Sequence, residues 1–194
     1  WKYKLIGQLV SESRLPSKNN NAEKRITVRL NLKGIEQRDF RGTESTESTA
    51  FFVRKAGQFI YGKQNFHKGA FGIIPKELDG FESSQDIPCF DFSGMCNPAW
   101  FYYFCSQEWF YAGLKDLMSG TGSKRLSPKT FLKLKIQCPS IEEQLKIAKV
   151  LATADQEIQA LQAKLACLKR EKKSLMQQLL TGKRRVKVDK LEVA

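Results

Sequence analysis

Residues 158–180 read IQALQAKLACLKREKKSLMQQLL. Apolar side chains recur in this stretch at alternating steps of three and four residues, which is the a and d spacing of a heptad repeat. The pattern predicts a long helix whose apolar seam pairs with a second helix. One a position holds a lysine, and polar residues at such positions set register or partner number. The seam positions are Ile158, Leu161, Leu165, Leu168, Lys172, Leu175 and Leu179.

The sequence also indicates where this helical region begins and ends. Ser140-Ile141-Glu142-Glu143 fits a capping box, and Gly182 is a typical stop signal. A second capping-box string at 153–156 predicts a break and restart. Residues 154–181 alone would form about 42 Å of helix, longer than a globule of roughly 140 residues covers. We therefore expect a partner helix from a second copy of the chain or from a second half of a longer chain.

The first 138 residues follow a different pattern. Short runs rich in β-branched and aromatic residues, separated by Gly, Pro and polar turns, predict strands at 25–30, 51–53, 59–61, 71–74 and 134–136. An aromatic stretch predicts one helix from Asn97 to Met118, with Asn97 as its N-cap and Pro98 at its first position. A short helix is predicted to open at Ser127-Pro128.

These patterns predict an α+β fold, in which a mixed α/β globule is followed by a long coiled-coil-forming helix. The predicted domains are a nucleic-acid-binding globule at 1–139, a helical pairing region at 140–182 and a basic tail at 183–194.

The composition favours a polyanionic partner. Lysine and arginine number 33 against 20 acids, which gives a formal net charge of +13. Such an excess points to nucleic acid first and to an anionic membrane surface second. No apolar run approaches the length of a membrane span, so we expect no membrane-spanning segment. The five cysteines lack metal-binding or CxxC spacing, which favours reduced, mostly buried thiols and a cytoplasmic location.

Catalytic motifs are weak in this sequence. Asn97-Pro98-Ala99-Trp100 is similar to the Asn-Pro-Pro-aromatic string of DNA amino-methyltransferases, but its third residue differs and no glycine-rich S-adenosylmethionine loop follows a strand. Residues 120–125 do not match a Walker A loop. The acids between Glu77 and Asp91 lack the lysine arrangement of a nuclease centre. We therefore expect no catalytic residue, no metal and no cofactor.

Three basic segments, two of which also contain or adjoin asparagine or glutamine, predict contacts with nucleic acid. Lysine and arginine neutralise phosphates, whereas glutamine and asparagine pair with adenine edges. Each segment taken alone also fits an ordinary solvated loop. The predicted DNA-binding residues are Lys63, Gln64, Asn65, His67 and Lys68 in the first segment, Ser123, Lys124 and Arg125 in the second, and Arg14, Lys18 and Arg25 in the third.

Several strings of the chain, taken in order, resemble one half of the DNA specificity subunit of type I restriction–modification systems. That half consists of one target recognition domain followed by one conserved spacer helix. The matching strings are GQFIY at 57–61, GAFGIIP at 69–75, the aromatic stretch 97–118, GTGSKRLS at 120–127, CPSIEEQLKIA at 138–148 and LLTGKRRV at 179–186.

The resemblance implies a non-catalytic reader of double-stranded DNA. Each recognition domain of such a subunit reads one half of a bipartite site in the major groove, and two spacer helices pack antiparallel. The subunit also docks methyltransferase subunits and, through them, restriction subunits. With one recognition domain, this chain is either a half-length subunit that forms a homodimer or part of a longer subunit. The alternative is a coiled-coil scaffold that binds nucleic acid without sequence preference.

Overall fold

The computed structural model describes residues 1–18, 21–39, 50–120 and 123–187. The chain divides into two units, Trp1–Lys149 and Val150–Ala194. The first unit extends beyond the boundary predicted at 139, because the first turns of the last helix belong to it. The last residues of the predicted tail, 188–194, lie outside the described residues.

Strands are short and antiparallel throughout the described part of the first unit. β2, β9, β6 and β7 form a four-stranded sheet in that order, and β1–β10, β3–β4 and β5–β8 form separate pairs. The five predicted strands are confirmed as β3, β5, β6, β7 and β10. The strands are β1 (Lys2–Leu5), β2 (Val10–Ser13), β3 (Ile26–Val28), β4 (Ile35–Gln37), β5 (Phe51–Val53), β6 (Phe59–Tyr61), β7 (Phe71–Ile73), β8 (Glu82–Ser84), β9 (Cys89–Phe92) and β10 (Lys135–Cys138).

The helices complete the predicted α+β class. Short 3₁₀ helices at Ala22–Lys24, Phe66–Lys68, Lys76–Leu78 and Leu114–Leu117 lie between the main elements. In the described ranges, no helix combines the length and apolarity that a membrane span requires. The α-helices are α1 (Ile6–Leu9), α2 (Pro98–Cys105), α3 (Glu108–Gly113), α4 (Pro128–Leu132) and α5 (Ile141–Leu180).

The prediction of one aromatic helix over 97–118 is wrong, although its start is confirmed. The Asn97 side chain accepts a hydrogen bond from the Trp100 N–H at 2.9 Å. The helix ends at Cys105, and Gln107 has extended backbone (φ −71°, ψ 124°) before α3 begins. This break changes the helical register, so that Phe110 is buried while Trp109 is 66% exposed.

Phe131 of α4 lies at the centre of an aromatic core. Its ring centroid lies 5.1 to 5.9 Å from those of Phe59, Tyr61, Phe66 and Phe90, and its side chain is fully buried. The Ser127 side chain accepts a hydrogen bond from the Thr130 N–H at 3.1 Å, which confirms the predicted start of this helix.

The first turn of α5 is fixed by a buried amide. The Gln144 side chain is completely buried; it accepts a hydrogen bond from the Asn97 N–H at 2.8 Å and donates to the carbonyls of Met95 and Pro139, each at 3.1 Å. The Glu143 N–H donates to the Ser140 hydroxyl at 3.3 Å, which is one of the two hydrogen bonds of the predicted capping box. The Glu143 carboxylate accepts a hydrogen bond from the Trp1 indole at 2.9 Å.

The predicted break at 153–156 is wrong, because α5 runs without interruption from Ile141 to Leu180. Apolar residues keep one register across this string, so the helix continues through it. The predicted stop is confirmed: Gly182 has φ 71° and its N–H donates to the Leu179 carbonyl at 3.2 Å.

The cysteines are unpaired and mostly buried, as the sequence predicts. Cys89, Cys96, Cys105 and Cys138 are buried, and Cys167 is exposed. Burial raises the pKa of the Cys89 and Cys96 thiols to about 12. Both therefore stay protonated at neutral pH and pack as small apolar side chains.

Replacing Phe131 with alanine should lower the free energy of unfolding by about 3–5 kcal/mol, because the core loses its central ring and keeps a cavity. Urea denaturation measures this change. Leu117→Ala is the control, since Leu117 is 50% exposed and its loss should cost much less. A loss below about 1 kcal/mol for Phe131→Ala would contradict tight packing around this ring.

Candidate nucleic-acid interface

Two of the predicted DNA-binding segments meet in the first unit. The Leu126 N–H donates a hydrogen bond to the Lys63 carbonyl at 2.8 Å. The buried Tyr61 hydroxyl donates to the Leu126 carbonyl at 3.3 Å. Segment 62–69 and the described residues of segment 119–126, which are far apart in the sequence, therefore form one surface.

The first segment is a turn that points polar residues outward. Phe66 is fully buried at the start of a 3₁₀ helix, so it anchors the turn in the aromatic core. Gly69 ends the helix with φ 70°, and a Cβ there would lie 3.1 Å from the Leu32 backbone nitrogen. His67 is partly exposed and Lys68 is exposed between these two fixed points.

His67 lies among positive charges. Desolvation lowers its pKa, and Lys68, Lys115 and Lys124 lower it further by electrostatic repulsion. We call these four residues the His67 cluster. The imidazole Nδ1 is buried and has no hydrogen-bond partner within the described residues. A group of three lysines around a neutral imidazole favours an anionic ligand.

Lys115 is the member of the His67 cluster that the sequence did not indicate. It lies in the 3₁₀ helix Leu114–Leu117, inside the stretch predicted as one amphipathic helix. A single exposed lysine on such a helix does not indicate a binding site from the sequence alone. Only the packing of this segment near His67 makes it part of the surface.

Asp86 contacts both segments, through its carboxylate and through its backbone carbonyl. Arg125 lies 3.6 Å from the Asp86 carboxylate, with both side chains about half exposed. The Lys63 N–H donates to the Asp86 carbonyl at 2.9 Å. Ser123 and Lys124 are exposed, and Gln64 and Asn65 are partly exposed. Thr121 and Gly122 lie outside the described residues.

The third predicted segment is divided among several environments. Arg14 pairs with Glu12 at 3.0 Å and lines a cleft of about 80 Å³ together with Lys63. Lys18 is exposed and lines a different groove. Arg25 is not on the surface that we predicted for it: it is only 4% exposed, and its guanidinium carbon lies 4.1 Å from the centroid of the Phe51 ring.

A buried arginine that the sequence did not reveal supports the cleft. Arg54 donates hydrogen bonds to the Ser83 hydroxyl at 2.7 Å and to the carbonyls of Ser13 at 2.9 Å and Ile87 at 3.2 Å. Burial lowers its pKa from the ordinary arginine value. This side chain holds β2, β8 and the turn at Ile87 together beneath the basic surface.

The second unit carries the predicted seam. Six of the seven seam positions hold isoleucine or leucine. These six side chains are between 39% and 59% exposed. Within the described ranges, no three histidine, cysteine or acidic side chains lie close enough together to hold a metal ion.

The fold and the site define a class: an α+β unit with a basic surface, in a chain that continues into a 40-residue helix. The family described as "Type I restriction modification DNA specificity domain" matches residues 1–170, and the chain belongs to this family. Members of the family provide specificity and are not themselves catalytic.

Individual relatives agree with this assignment. The chain is 34% identical over 86 residues to the type I restriction enzyme MjaVIII specificity subunit of Methanocaldococcus jannaschii, which covers 44% of this chain and 20% of that protein. The fold is similar to the HsdS subunit of Thermoanaerobacter tengcongensis, with a TM-score of 0.65 and 16% identity over 91% of this chain and 47% of that one. It is also similar to the S subunit of M. genitalium, with a TM-score of 0.52 and 15% identity over 90% of this chain and 44% of that one. The chain thus spans about half the length, or less, of these relatives.

Replacing Lys115 or Lys124 with glutamine should raise the pKa of His67, because each change removes a positive charge that opposes protonation. The chain has one histidine, so its imidazole proton signal in an NMR pH titration belongs to His67 alone. Lys135→Gln is the control, since Lys135 lies on β10 and outside the His67 cluster. An equal pKa in all four proteins would contradict the His67 cluster.

Proposed function

We propose that this chain reads one half of a bipartite site in double-stranded DNA through the major groove. The observation that carries the proposal is the joining of segments 62–69 and 119–126 into one basic surface on a DNA specificity domain. Phosphate contacts fix the register of a protein on DNA, and contacts with base edges select the sequence.

The side chains of this surface divide between these two tasks. Lys63, Lys68, Lys115, Lys124 and Arg125 contact phosphates, because their positive charges neutralise the backbone. Arg14 and Lys18 extend the surface beyond these two segments, and Ser123 adds a hydroxyl within the second segment. Gln64 and Asn65 reach base edges, where an amide pairs with adenine N6 and N7. We leave Arg25 out of the interface because its guanidinium is buried.

The seam of α5 pairs with a second spacer helix. Among residues 141–163 the acids are Glu142, Glu143, Asp155 and Glu157, whereas residues 164–187 contain nine lysines and arginines and a single acid. Antiparallel pairing places the acid-rich start of one helix beside the basic end of the other. Parallel pairing would place like charges together.

The second helix comes from another copy of this chain or from the second half of a longer chain. Two identical copies would form a symmetric dimer, which reads a palindromic bipartite site. The paired helices dock methyltransferase subunits and, through them, restriction subunits. This part of the proposal is supported by the similarity of the chain to a solved structure from work on complex assembly and conformational transition of the type I R-M system. The TM-score is 0.64 and the identity 14%, over 100% of this chain and 52% of that one. The cytoplasm, which holds bacterial DNA, is the expected location.

Two substitutions should separate phosphate contacts from base reading. Lys124→Gln should weaken binding to all duplexes and reduce the salt slope, d(log K)/d(log[salt]), by about 0.9. Gln64→Ala should relax the preference at one base position and leave the others unchanged. Binding titrations at several salt concentrations measure the first effect. Selection from a randomised duplex pool, with the methyltransferase subunits present, measures the second.

Lys135→Gln serves as the charge control in that experiment, because Lys135 lies on β10 and outside the proposed surface. If the wild-type protein shows no sequence preference and Gln64→Ala weakens binding to every duplex equally, the result favours the scaffold that binds nucleic acid non-specifically.

Charged residues at seam positions should prevent helix pairing. The double substitution Leu161→Glu, Leu168→Glu should convert a dimer into a monomer, because it places charges in an apolar interface. Analytical ultracentrifugation measures the oligomeric state. Gln159→Glu with Ala166→Glu is the matched control, which adds the same charges at the same spacing outside the seam. An unchanged dimer with both seam substitutions would contradict pairing through these residues. A wild-type monomer would assign the second helix to a longer chain.

A further inference from the structure

The His67 cluster lies where three separate parts of the first unit meet. The 3₁₀ helix that contains His67 and Lys68 packs against the 3₁₀ helix that contains Lys115. Lys124 belongs to the second predicted segment, which is hydrogen-bonded to the first. The fold therefore brings lysines from three parts of the sequence to one imidazole.

The three lysines of the cluster are not paired with carboxylates in the part of the chain that the structure describes. Among the described residues, no acidic side chain opposes their effect on the pKa of His67. Arg125 of the same surface differs, because it lies 3.6 Å from the Asp86 carboxylate. Like charges that are held close together repel one another. The cluster therefore carries a charge that an anion would neutralise.

The imidazole of His67 offers one of its two nitrogens to a ligand. Nδ1 is buried, as described above. Nε2 is likewise not bonded to any described residue, but it is open to solvent. Because a buried N–H without an acceptor destabilises the fold, the proton of the neutral ring lies on Nε2, where water can accept it. Nε2 is thus an uncharged hydrogen-bond donor among three cations.

The backbone on both sides fixes the position of this donor. Phe66 is fully buried in the aromatic core, and the Gly69 N–H donates to the Phe66 carbonyl at 2.9 Å. A donor that is already held in place loses less conformational entropy on binding than a flexible one. The turn is therefore suited to a contact that fixes the position of the protein on its ligand.

A phosphate group fits the cluster better than a base edge does. A base edge carries only partial charges, whereas each phosphate of the DNA backbone carries a full negative charge. Lysine ammonium groups bind phosphate as point charges. The neutral N–H of the imidazole adds a hydrogen bond to a phosphate oxygen. Three cations and one neutral donor together match a single anionic group with several acceptor oxygens.

We propose that the His67 cluster holds one phosphate group of the DNA backbone: Nε2 of neutral His67 donates to one oxygen, and Lys68, Lys115 and Lys124 surround the group. This inference rests on the proposed function and deepens it, because it gives His67 a role and directs three lysines to the same phosphate. The contact fixes the register of Gln64, which lies in the same turn and is proposed to reach a base edge.

The test neutralises one phosphate at a time. The half-site is first determined by selection from a randomised duplex pool, using the full chain with methyltransferase subunits. Duplexes of that site then carry one uncharged methylphosphonate at each backbone position in turn. His67→Leu should lose about tenfold in affinity on the natural duplex, since a hydrogen bond to a charged group is removed. At one methylphosphonate position it should lose no further affinity, whereas wild-type protein should.

Lys115→Gln and Lys124→Gln should identify the same position. At that methylphosphonate each should lose much less affinity than wild-type protein loses, and at all other positions the two changes should be additive. Lys115 is exposed, so its variant tests the site even if His67→Leu does not fold. Far-UV circular dichroism reports whether the variants fold.

Two further variants are the matched controls. His67→Gln keeps an uncharged N–H near the position of Nε2, so it should retain most of the affinity that His67→Leu loses. Lys135→Gln removes a lysine on β10, outside the cluster, so its effect should be additive with every methylphosphonate. Equal losses by His67→Leu and His67→Gln would overturn donation from Nε2.

The outcomes separate this inference from the proposed function. A wild-type protein without sequence preference would overturn the proposed function itself. A wild-type preference in which the His67 and lysine variants are additive with every methylphosphonate would overturn only the phosphate site. The phosphate site is also overturned if His67→Leu loses additivity instead with 7-deazaguanine at one guanine, because His67 would then read a base.

Discussion

The apolar seam of α5 is the constraint on which the rest of the account depends. Burial of a leucine side chain contributes about 1.5–3 kcal/mol, and the isoleucine and leucines of the seam remain partly exposed along the second unit. A helix of 40 residues measures about 60 Å, so this stripe extends far along one face. The polar Lys172 and the uneven distribution of charge favour one register and one orientation. We propose that a second helix supplies the burial that this stripe lacks.

The first unit determines where this helix begins. Gln144 bonds to the backbone at Met95, Asn97 and Pro139, and it places the first turn against the end of β10 and the start of α2. β1 pairs with β10, and Trp1 bonds to Glu143, so the start of the described chain joins the same junction. The basic surface is supported separately, by Phe66, Tyr61 and Arg54. The proposed recognition surface and the proposed pairing seam thus consist of different side chains of one chain.

Local sequence rules predicted the elements whose signals lie within a few residues. The caps at Asn97, Ser127 and Ser140, and the heptads of α5, are of this kind. The rules failed where tertiary packing decides, as at Gln107, where burial of Phe110 breaks the aromatic helix. Charge clusters indicated the two loops that meet in the first unit but not Lys115, because Lys115 approaches His67 only through folding. Arg25 shows the reverse error, since its basic side chain packs over an aromatic ring in the interior.

We propose that the paired helices set the separation of the two DNA half-sites. The direct measurement inserts one heptad into α5 and determines the preferred spacing by selection from a duplex pool. Seven residues lengthen the helix by about 10.5 Å and preserve the seam, so the spacing should increase by up to about three base pairs at 3.4 Å each. The bases read at each end should stay the same. An unchanged spacing, with the longer helices still paired, would contradict the account.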